Sequence, residues 1–187
     1  MSADQKSHVC PAQHAGWLTS SVRKLGNNPR RILRGLVSKG DTAVDLGAGP
    51  GFFTLPLAEM VGSGGSVIAV DLQAAMLDKV KSRAERKGLA ARIRLHQCTA
   101  DSLDLDGEGA DFALAFWMVH EVPDASCFFR DVQHALRAGA RLLLVEPKGH
   151  VDEAAFERTV GLAVAAGHRP LARPRVAFSR AALFERL

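Results

Sequence analysis

The feature that most constrains the fold of this chain is a regular alternation of apolar runs with segments of helical periodicity. The strand-like runs lie at 42–47, 66–71, 92–97, 110–119 and 140–147, and helix-like segments follow all but the third of them, at 53–61, 74–87, 125–136 and 152–166. Near-continuous apolar strands joined by helices indicate a mainly parallel sheet with both faces covered. The sequence therefore predicts an α/β fold wound on both sides of one sheet.

The two ends of the chain depart from this alternation. Asn28 followed by Pro29 favours the start of a helix, which a stripe of apolar residues at 32, 33, 36 and 37 continues and Gly40 would end. The last twenty residues read as two strands separated by Pro174, with no helix between them. Such a connection predicts a hairpin, which adds an antiparallel strand to the sheet.

Composition limits the class of protein. The 187 residues are 47% hydrophobic and 24% charged, an ordinary balance for one globular domain. No apolar run is long enough to cross a bilayer, the polar N-terminus does not resemble a signal peptide, and three scattered cysteines form no CxxC motif. We therefore expect a soluble cytoplasmic protein with no membrane partner.

The charge distribution bears on nucleic-acid binding. The net charge is +4, but Lys and Arg are spread along the chain, and the basic group at 23–39 contains no interleaved aromatic residues. This pattern favours a solvated surface over an RNA-binding one. We expect no nucleic-acid partner.

A glycine-rich segment, Asp45-Leu46-Gly47-Ala48-Gly49-Pro50-Gly51-Phe52, lies between the first strand and the next helix. In open α/β sheets, ligands bind at the carboxyl ends of the strands, and glycines there allow close approach to the main chain. The spacing is G-x-G-x-G, and Phe52 replaces the last glycine of a dinucleotide fingerprint. No Gly-Lys-Ser/Thr follows, so the segment is not a P-loop.

Two acidic residues refine the ligand. Asp45 precedes the first glycine by two residues, where a carboxylate suits a ligand amine and would repel a pyrophosphate. Asp71 ends the second strand and can accept hydrogen bonds from two ribose hydroxyls. Together they favour a ligand with an amine and a ribose, namely S-adenosylmethionine (SAM).

At these residues the chain resembles a known family. VDLGAGPGFFT resembles motif I of class I SAM-dependent methyltransferases, and VIAVDLQAAML resembles their second-strand acidic motif. CTADSL and DFALAFWMVHEVPD resemble later segments of the small-molecule branch, which includes the ubiquinone/menaquinone and arsenite methyltransferases. The resemblance spans about residues 28–187. It implies a Rossmann-like sheet of seven strands with an antiparallel C-terminal hairpin.

The resemblance also implies roles for individual residues. Asp45 or its neighbouring main chain would meet the methionine end of SAM, and Asp71 would bind the ribose hydroxyls. Phe116 would lie beside the cofactor at the end of the fourth strand. The other cofactor-binding residues would be Gly47, Ala48, Gly49 and Gly51 under the cofactor and Leu72, Thr99, Ala100 and Asp101 around the adenine. Many relatives have Asp at the position of Thr99, so the adenine contact departs from the pattern.

The acceptor end is less defined by the sequence. The SAM sulfonium is an activated methyl donor, so the protein must mainly align the reactants and exclude water. Where the acceptor carries a proton, His120 is the candidate general base, because it follows the fourth strand and titrates near neutrality. The alternative is that His120 orders the loop to Pro123 or only shapes the pocket. Glu146, at the end of the fifth strand, is a second candidate for the acceptor pocket, or else forms a cap or an ion pair.

The N-terminal segment, residues 1–27, is interpreted as an arm or lid over the acceptor pocket of a methyltransferase domain at 28–187. His14 and Trp17 are its candidate pocket residues; packing against the domain or a partner subunit is the alternative. No fourth ligand accompanies His8, Cys10 and His14, so we expect no metal site. A homodimer is expected from family habit alone.

The sequence therefore predicts methyl transfer from SAM to a small-molecule acceptor, leaving S-adenosylhomocysteine. No Asn/Asp-Pro-Pro-Tyr-like motif of base amino-methylating enzymes and no Pro-Cys nucleophile is present. An RNA methyltransferase and a non-catalytic SAM-binding module remain as alternatives. An NAD-dependent oxidoreductase is disfavoured by Phe52.

Overall fold

The structure, a computed structural model, describes residues 27–187. Seven strands and five α-helices alternate along this part of the chain. In chain order they are α1 (Pro29–Ile32), β1 (Thr42–Leu46), α2 (Thr54–Val61), β2 (Ser66–Asp71), α3 (Ala74–Arg86), β3 (Ile93–Gln97), β4 (Ala110–Phe116), α4 (Ala125–Ala135), β5 (Leu136–Pro147), α5 (Glu153–Ala165), β6 (His168–Ala172) and β7 (Ser179–Arg186). Short 3₁₀ helices precede β3 and follow β4, at Ala90–Arg92 and Val119–Glu121.

The strands form one sheet in the order β3-β2-β1-β4-β5-β7-β6. The first five strands pair in parallel, and β7 pairs antiparallel with both β5 and β6. The order reverses between β1 and β4, so a crevice opens above the carboxyl ends of these two strands. The predicted fold class is confirmed, including the antiparallel C-terminal hairpin.

The core lies on both faces of the sheet because successive strand residues point to opposite sides. In β5, Leu142 and Leu144 pack with Phe128 and Phe156 of α4 and α5. Leu143 and Val145 point to the other face of the sheet, toward α2 and the segment after α1. All three leucines are at most 1% exposed. Burial on both faces explains why these strands read as continuous apolar runs.

Helix α1 is shorter than predicted. Asn28 does cap it, accepting a hydrogen bond from the Arg31 amide, but the helix ends at Ile32 and not near Gly40. Gly35 has φ of 74°, a left-handed conformation that breaks the α-helix one turn after it begins. Leu33 nevertheless becomes fully buried, so the predicted apolar stripe packs without a continuous helix.

Strand β4 also ends earlier than predicted, at Phe116 and not at residue 119. Trp117 has φ of 60°, which is rare for a residue with a side chain and turns the backbone out of the sheet. The Trp117 amide donates to the Val145 carbonyl at 2.7 Å, and a 3₁₀ turn follows. The apolar run therefore supplies a strand and then one wall of the crevice.

No helix within residues 27–187 has both the length and the apolar character needed to span a membrane.

Candidate functional site

A cleft of about 750 Å³ lies over the carboxyl ends of β1, β2, β4 and β5, at the reversal of strand order. Its volume falls in the range of small-molecule sites. Ten of the eleven cofactor-binding residues predicted from the sequence line this cleft, and Gly51 is the exception. Its lining includes, at one end, Leu72, Gln73 and Asp101 and, at the other, Trp117, His120, His150 and Phe178.

The glycine loop forms the floor of this cleft. Gly47, Gly49 and Gly51 have φ of 68°, 52° and 85°, the left-handed region that other residues rarely adopt. A Cβ atom on Gly47 would lie 3.0 Å from the Cβ and Cγ atoms of Met118, so the loop and the segment after β4 are in close contact. At Gly49, by contrast, nothing lies within 4 Å of the added Cβ, and the main chain is open to a ligand.

Asp71 connects this loop to the second strand. Its Oδ2 accepts a hydrogen bond from the Gly49 amide at 2.8 Å, and its Oδ1 accepts one from the Gln73 amide at 2.9 Å. Burial raises the pKa of Asp71, while the two amide hydrogen bonds oppose that rise. Each carboxylate oxygen has a further lone pair, so the group can also bind a diol presented from the cleft.

Asp45 is buried at the root of the loop and accepts a hydrogen bond from the Thr54 hydroxyl at 2.6 Å. Burial raises the pKa of Asp45 to about 7, and the negative charge of Asp71 adds to the rise. The carboxyl group also lines the cleft. A cation in the cleft would therefore stabilise the ionised form of Asp45, whose carboxyl group titrates near neutrality in the absence of the cation.

The segment after β3 forms the far wall of the cleft. Thr99, Ala100 and Asp101 line it, and Leu72, 38% exposed, lies opposite at the end of β2. The Thr99 hydroxyl accepts from the Ser102 amide at 3.1 Å. Thr99 therefore closes a local turn. The acidic side chain of this segment that lines the cleft is that of the exposed Asp101.

Aromatic rings line the middle of the cleft. The Phe116 ring lies 4.4 Å from that of Phe53 and 5.2 Å from that of Trp117, measured between ring centroids. Phe116 is only 6% exposed, so it packs in the core with one edge toward the cleft. The Trp117 indole donates to the Ser179 hydroxyl at 2.9 Å, which ties this wall to the terminal hairpin.

His120 and Glu146 meet at the opposite end from Leu72. The His120 Nδ1 atom lies 2.6 Å from Glu146 Oε2, and the His120 amide donates to Oε1 at 3.2 Å. This hydrogen bond to Glu146 raises the pKa of His120, with a further contribution from the charge of Glu121. His120 lines the cleft, whereas Glu146 is 1% exposed and lies behind it.

The sequence offered Glu146 as a residue of the acceptor pocket, or else as a cap or an ion-pair residue. In the structure Glu146 contacts His120 and does not line the cleft. Glu121, the next residue after His120, also lies near it, because the 3₁₀ turn at Val119–Glu121 places its Oε1 3.9 Å from His120 Nε2.

His150 and Phe178 were not predicted as site residues. The His150 ring lies 5.6 Å from that of His120, and Phe178 is 79% exposed at the mouth of the cleft. His150 follows β5, and Phe178 immediately precedes β7, which runs antiparallel beside β5. The direction of the hairpin was thus the available signal, since it brings the start of β7 to the edge where β5 ends.

Cys98 and Cys127 are free and line the cleft. Burial raises the pKa of the Cys98 thiol to about 11, and a hydrogen bond to Asp124 raises the pKa of the Cys127 thiol. Both are protonated at neutral pH and are therefore weak nucleophiles.

His14 and Trp17, with the rest of the predicted arm up to residue 26, lie outside the described residues. Among residues 27–187, no cluster of three His, Cys, Asp or Glu side chains is arranged to hold a metal ion.

SAM fits the residues of this cleft. Asp71 would accept hydrogen bonds from the ribose hydroxyls, the open main chain at Gly49 would leave room for the chain of the cofactor, and Asp45 would meet its ammonium. The walls at Leu72 and Asp101 provide an apolar surface and a polar edge for a purine.

Comparison with known proteins agrees with this description. A family model described as "Methyltransferase domain" matches residues 43–139, half of the chain. The chain is 32% identical over 110 residues to the ubiquinone/menaquinone biosynthesis C-methyltransferase UbiE of Cellvibrio japonicus, covering 59% of this chain and 44% of that protein. The UbiE protein of Francisella philomiragia is 28% identical over 133 residues, or 71% and 49% of the two chains. The chain thus spans a little less than half of the length of each of these relatives.

Solved structures share the fold. A SAM-dependent methyltransferase from Aquifex aeolicus superposes with a TM-score of 0.85 at 21% identity, covering 96% of this chain and 100% of that one. Geranyl diphosphate methyltransferase in complex with SAM superposes with a TM-score of 0.67 at 16% identity, covering 86% and 84%. The matched family, the strand order and the glycine cleft agree, and the chain belongs to the class I SAM-dependent methyltransferases.

Proposed function

We propose that this protein transfers a methyl group from SAM to a small-molecule acceptor that binds between His120, His150 and Phe178. The observation that carries this proposal is the continuity of the cleft. Its Asp71 end would hold the nucleoside of SAM, and its His120 end would hold the acceptor. Both ends open onto the region above Gly47, where the reacting atoms would meet.

The chain's own residues would act mainly by alignment and exclusion of water. When bound, SAM supplies a methyl group on a positively charged sulfur. The aromatic wall of Phe53, Phe116 and Trp117 lies between the two ends of the cleft and provides a surface of low polarity around the transfer. His120, at the acceptor end, would receive a proton from an acceptor that carries one.

Several features favour a small acceptor over the alternatives. The relatives that the chain resembles include C-methyltransferases of ubiquinone and menaquinone biosynthesis. The acceptor end is a recess within a cleft and not a broad basic surface. Three further points stay predictions. They are the role of residues 1–27 as a lid that includes His14 and Trp17, a cytoplasmic location, and a homodimer.

Calorimetric titration of the full chain with SAM, S-adenosylhomocysteine and NADH tests the cofactor assignment. We expect micromolar binding of the first two and no binding of NADH. NADH binding without SAM binding would overturn the proposal. With SAM binding established, an acceptor screen that detects S-adenosylhomocysteine release distinguishes an enzyme from a non-catalytic SAM-binding module.

A further inference from the structure

We propose that Glu146 is a positioning residue that holds the proton of neutral His120 on Nδ1, so that Nε2 faces the cleft as the base. The proposal rests on the proposed function and deepens it, because a base of this kind is useful only where the acceptor's nucleophilic atom carries a proton. The acceptor class is therefore a hydroxyl, an N–H or an acidic C–H compound.

The first observation is that both oxygens of one carboxylate bind one residue. Glu146 Oε1 accepts from the His120 amide at 3.2 Å, and Oε2 lies 2.6 Å from His120 Nδ1. A carboxylate can only accept, so the ring nitrogen that faces it must carry the hydrogen. The paired contacts fix both the backbone and the ring, which leaves the ring little freedom to turn.

The second observation is the burial of Glu146. Its side chain is 1% exposed and does not line the cleft, so it does not touch a ligand there. A buried carboxylate is costly unless it is paired, and His120 is its ion-pair partner within residues 27–187. Arg180, opposite Glu146 in β7, donates instead to the Val151 carbonyl at 2.8 Å.

The position of Glu146 follows from strand lengths. The last paired residues of β4 and β5 are Phe116 and Val145, so Glu146 extends one residue beyond the end of β4. The chain after β4 turns at Trp117 and brings His120 across this projecting end. The dyad is thus built by the mismatch between two neighbouring strands.

Other charged or titratable groups also face His120. Glu121 Oε1 lies 3.9 Å from Nε2, and the His150 ring is 5.6 Å away between centroids. Glu146 and Glu121 both favour the protonated ring, which agrees with the raised pKa of His120. Because Nε2 is a base only after it loses its proton, the basic form becomes populated as the pH rises through that pKa.

The step balances as follows. His120 Nε2 takes the proton of the acceptor's nucleophilic atom, whose electron pair forms the new bond to the methyl carbon. The electron pair of the broken carbon–sulfur bond stays on sulfur, which becomes the neutral thioether of S-adenosylhomocysteine. The resulting imidazolium is stabilised by Glu146 and afterwards loses its proton to water.

Long-range ¹H–¹⁵N NMR of the histidine side chains of the full chain, titrated over pH, tests this proposal. His120 is assigned by comparison with His120→Asn. In the wild type we expect the neutral ring to carry its proton on Nδ1. In Glu146→Gln, which keeps the shape but removes the charge, we expect the His120 titration midpoint to fall by about one pH unit or more.

Glu121→Gln is the matched control, because it removes a charge that is farther from the ring, and we expect a smaller shift. A wild-type neutral ring protonated on Nε2 would overturn the proposal without any variant. An unmoved midpoint in folded Glu146→Gln would also overturn it. Should Glu146→Gln not fold, Glu146→Asp, expected to retain the Nδ1 tautomer, replaces it.

Titration with S-adenosylhomocysteine separates this inference from the proposed function. We expect Glu146→Gln to bind S-adenosylhomocysteine as the wild type does, because Glu146 lies outside the cleft lining. Failure of the wild type to bind would overturn the proposed function and leave the His120 measurement standing. Normal binding with an unmoved His120 midpoint would overturn only the inference.

Discussion

The carboxylates of Asp45 and Asp71 lie on the neighbouring strands β1 and β2, 26 positions apart in sequence, and stand in different environments. Asp71 accepts two amide hydrogen bonds, and Asp45 accepts one hydroxyl hydrogen bond in deeper burial. We therefore expect Asp71 to act through hydrogen bonding and Asp45 through its charge state. The two roles are separable by substitution and by pH.

Replacement of Asp71 by Ala should weaken binding of SAM by about 1–3 kcal/mol, because the ribose hydroxyls lose their acceptor in a buried site. The measurement is calorimetric titration with SAM. Asp78→Ala, an exposed Asp on α3, is the control and should leave affinity unchanged. Unchanged affinity in a folded Asp71→Ala variant would contradict the assignment of the ribose site.

Binding of SAM should depend on pH through Asp45. Its pKa of about 7 means that the carboxyl is largely protonated below neutrality, and the ammonium of the ligand prefers the ionised form. Affinity should therefore fall as the pH drops below about 7, approaching tenfold per pH unit in the limit of full coupling to one proton.

Titrations between pH 5.5 and 8.5 measure this dependence. Asp45→Asn keeps the shape and the hydrogen bond to Thr54 but cannot ionise, so its affinity should be lower and nearly independent of pH over this range. An equal slope in the variant and the wild type would assign the titration to another group.

At the scale of elements, the loop between β1 and α2 and the loop after β4 support each other. Gly47 adopts φ of 68° and lies against Met118, whereas the backbone of Trp117 next to it turns at φ of 60°. Residues in such conformations persist where surrounding contacts determine them, and they concentrate at functional sites. The two loops therefore contact each other at Gly47 and Met118, both of which line the cleft.

Gly47→Ala should disrupt this contact. The added Cβ would meet Met118 at 3.0 Å in a conformation that disfavours alanine, so we expect a loss of about 1–3 kcal/mol in the free energy of unfolding. Denaturant unfolding and titration with S-adenosylhomocysteine report the two effects.

Gly64→Ala is the control, since Gly64 lies outside the left-handed region and its added Cβ meets nothing within 4 Å. Its stability should match that of the wild type within about 0.5 kcal/mol. A Gly47→Ala variant as stable and as competent in binding as Gly64→Ala would show that the loop tolerates a side chain.

At the scale of the whole molecule, part of the positive charge of residues 27–187 is held in ion pairs that are spread over the surface. Arg94, Arg137 and Arg173 pair with Glu108, Asp111 and Glu157 on different parts of the surface. Glu59 pairs with both Arg30 and Lys87. Exposed pairs of this kind contribute little to stability, but they reduce the positive potential available to phosphates.

We therefore expect weak, salt-sensitive binding of nucleic acid at most. Fluorescence anisotropy with a labelled single-stranded RNA, at 50 and 200 mM salt, measures it. The dissociation constant should be weaker than about 10⁻⁶ M near physiological salt, the range of non-specific binding. Much tighter binding that persists at 200 mM salt would favour the RNA methyltransferase alternative.

The sequence by itself determined the element order and the chemistry of the cofactor end. Buried parallel strands must be apolar throughout, and a ligand turn at the end of β1 must be rich in glycine, so Asp45, Gly47, Gly49 and Asp71 were identifiable from local pattern. The same reasoning located both strands of the hairpin. Local pattern also overextended α1 and β4, because it does not report a left-handed backbone at Gly35 or Trp117.

The acceptor end was decided by the tertiary structure. His120 and Glu146 are 26 residues apart, and their contact depends on β5 extending past β4 in the register. His150 follows β5, and Phe178 reaches the same end only because β7 runs antiparallel beside β5. Turn and strand propensities are local, whereas the register between strands and the depth of burial are set by packing of the whole sheet. The sequence could therefore propose His120 as a base, but only the fold brings the carboxylate of Glu146 against it.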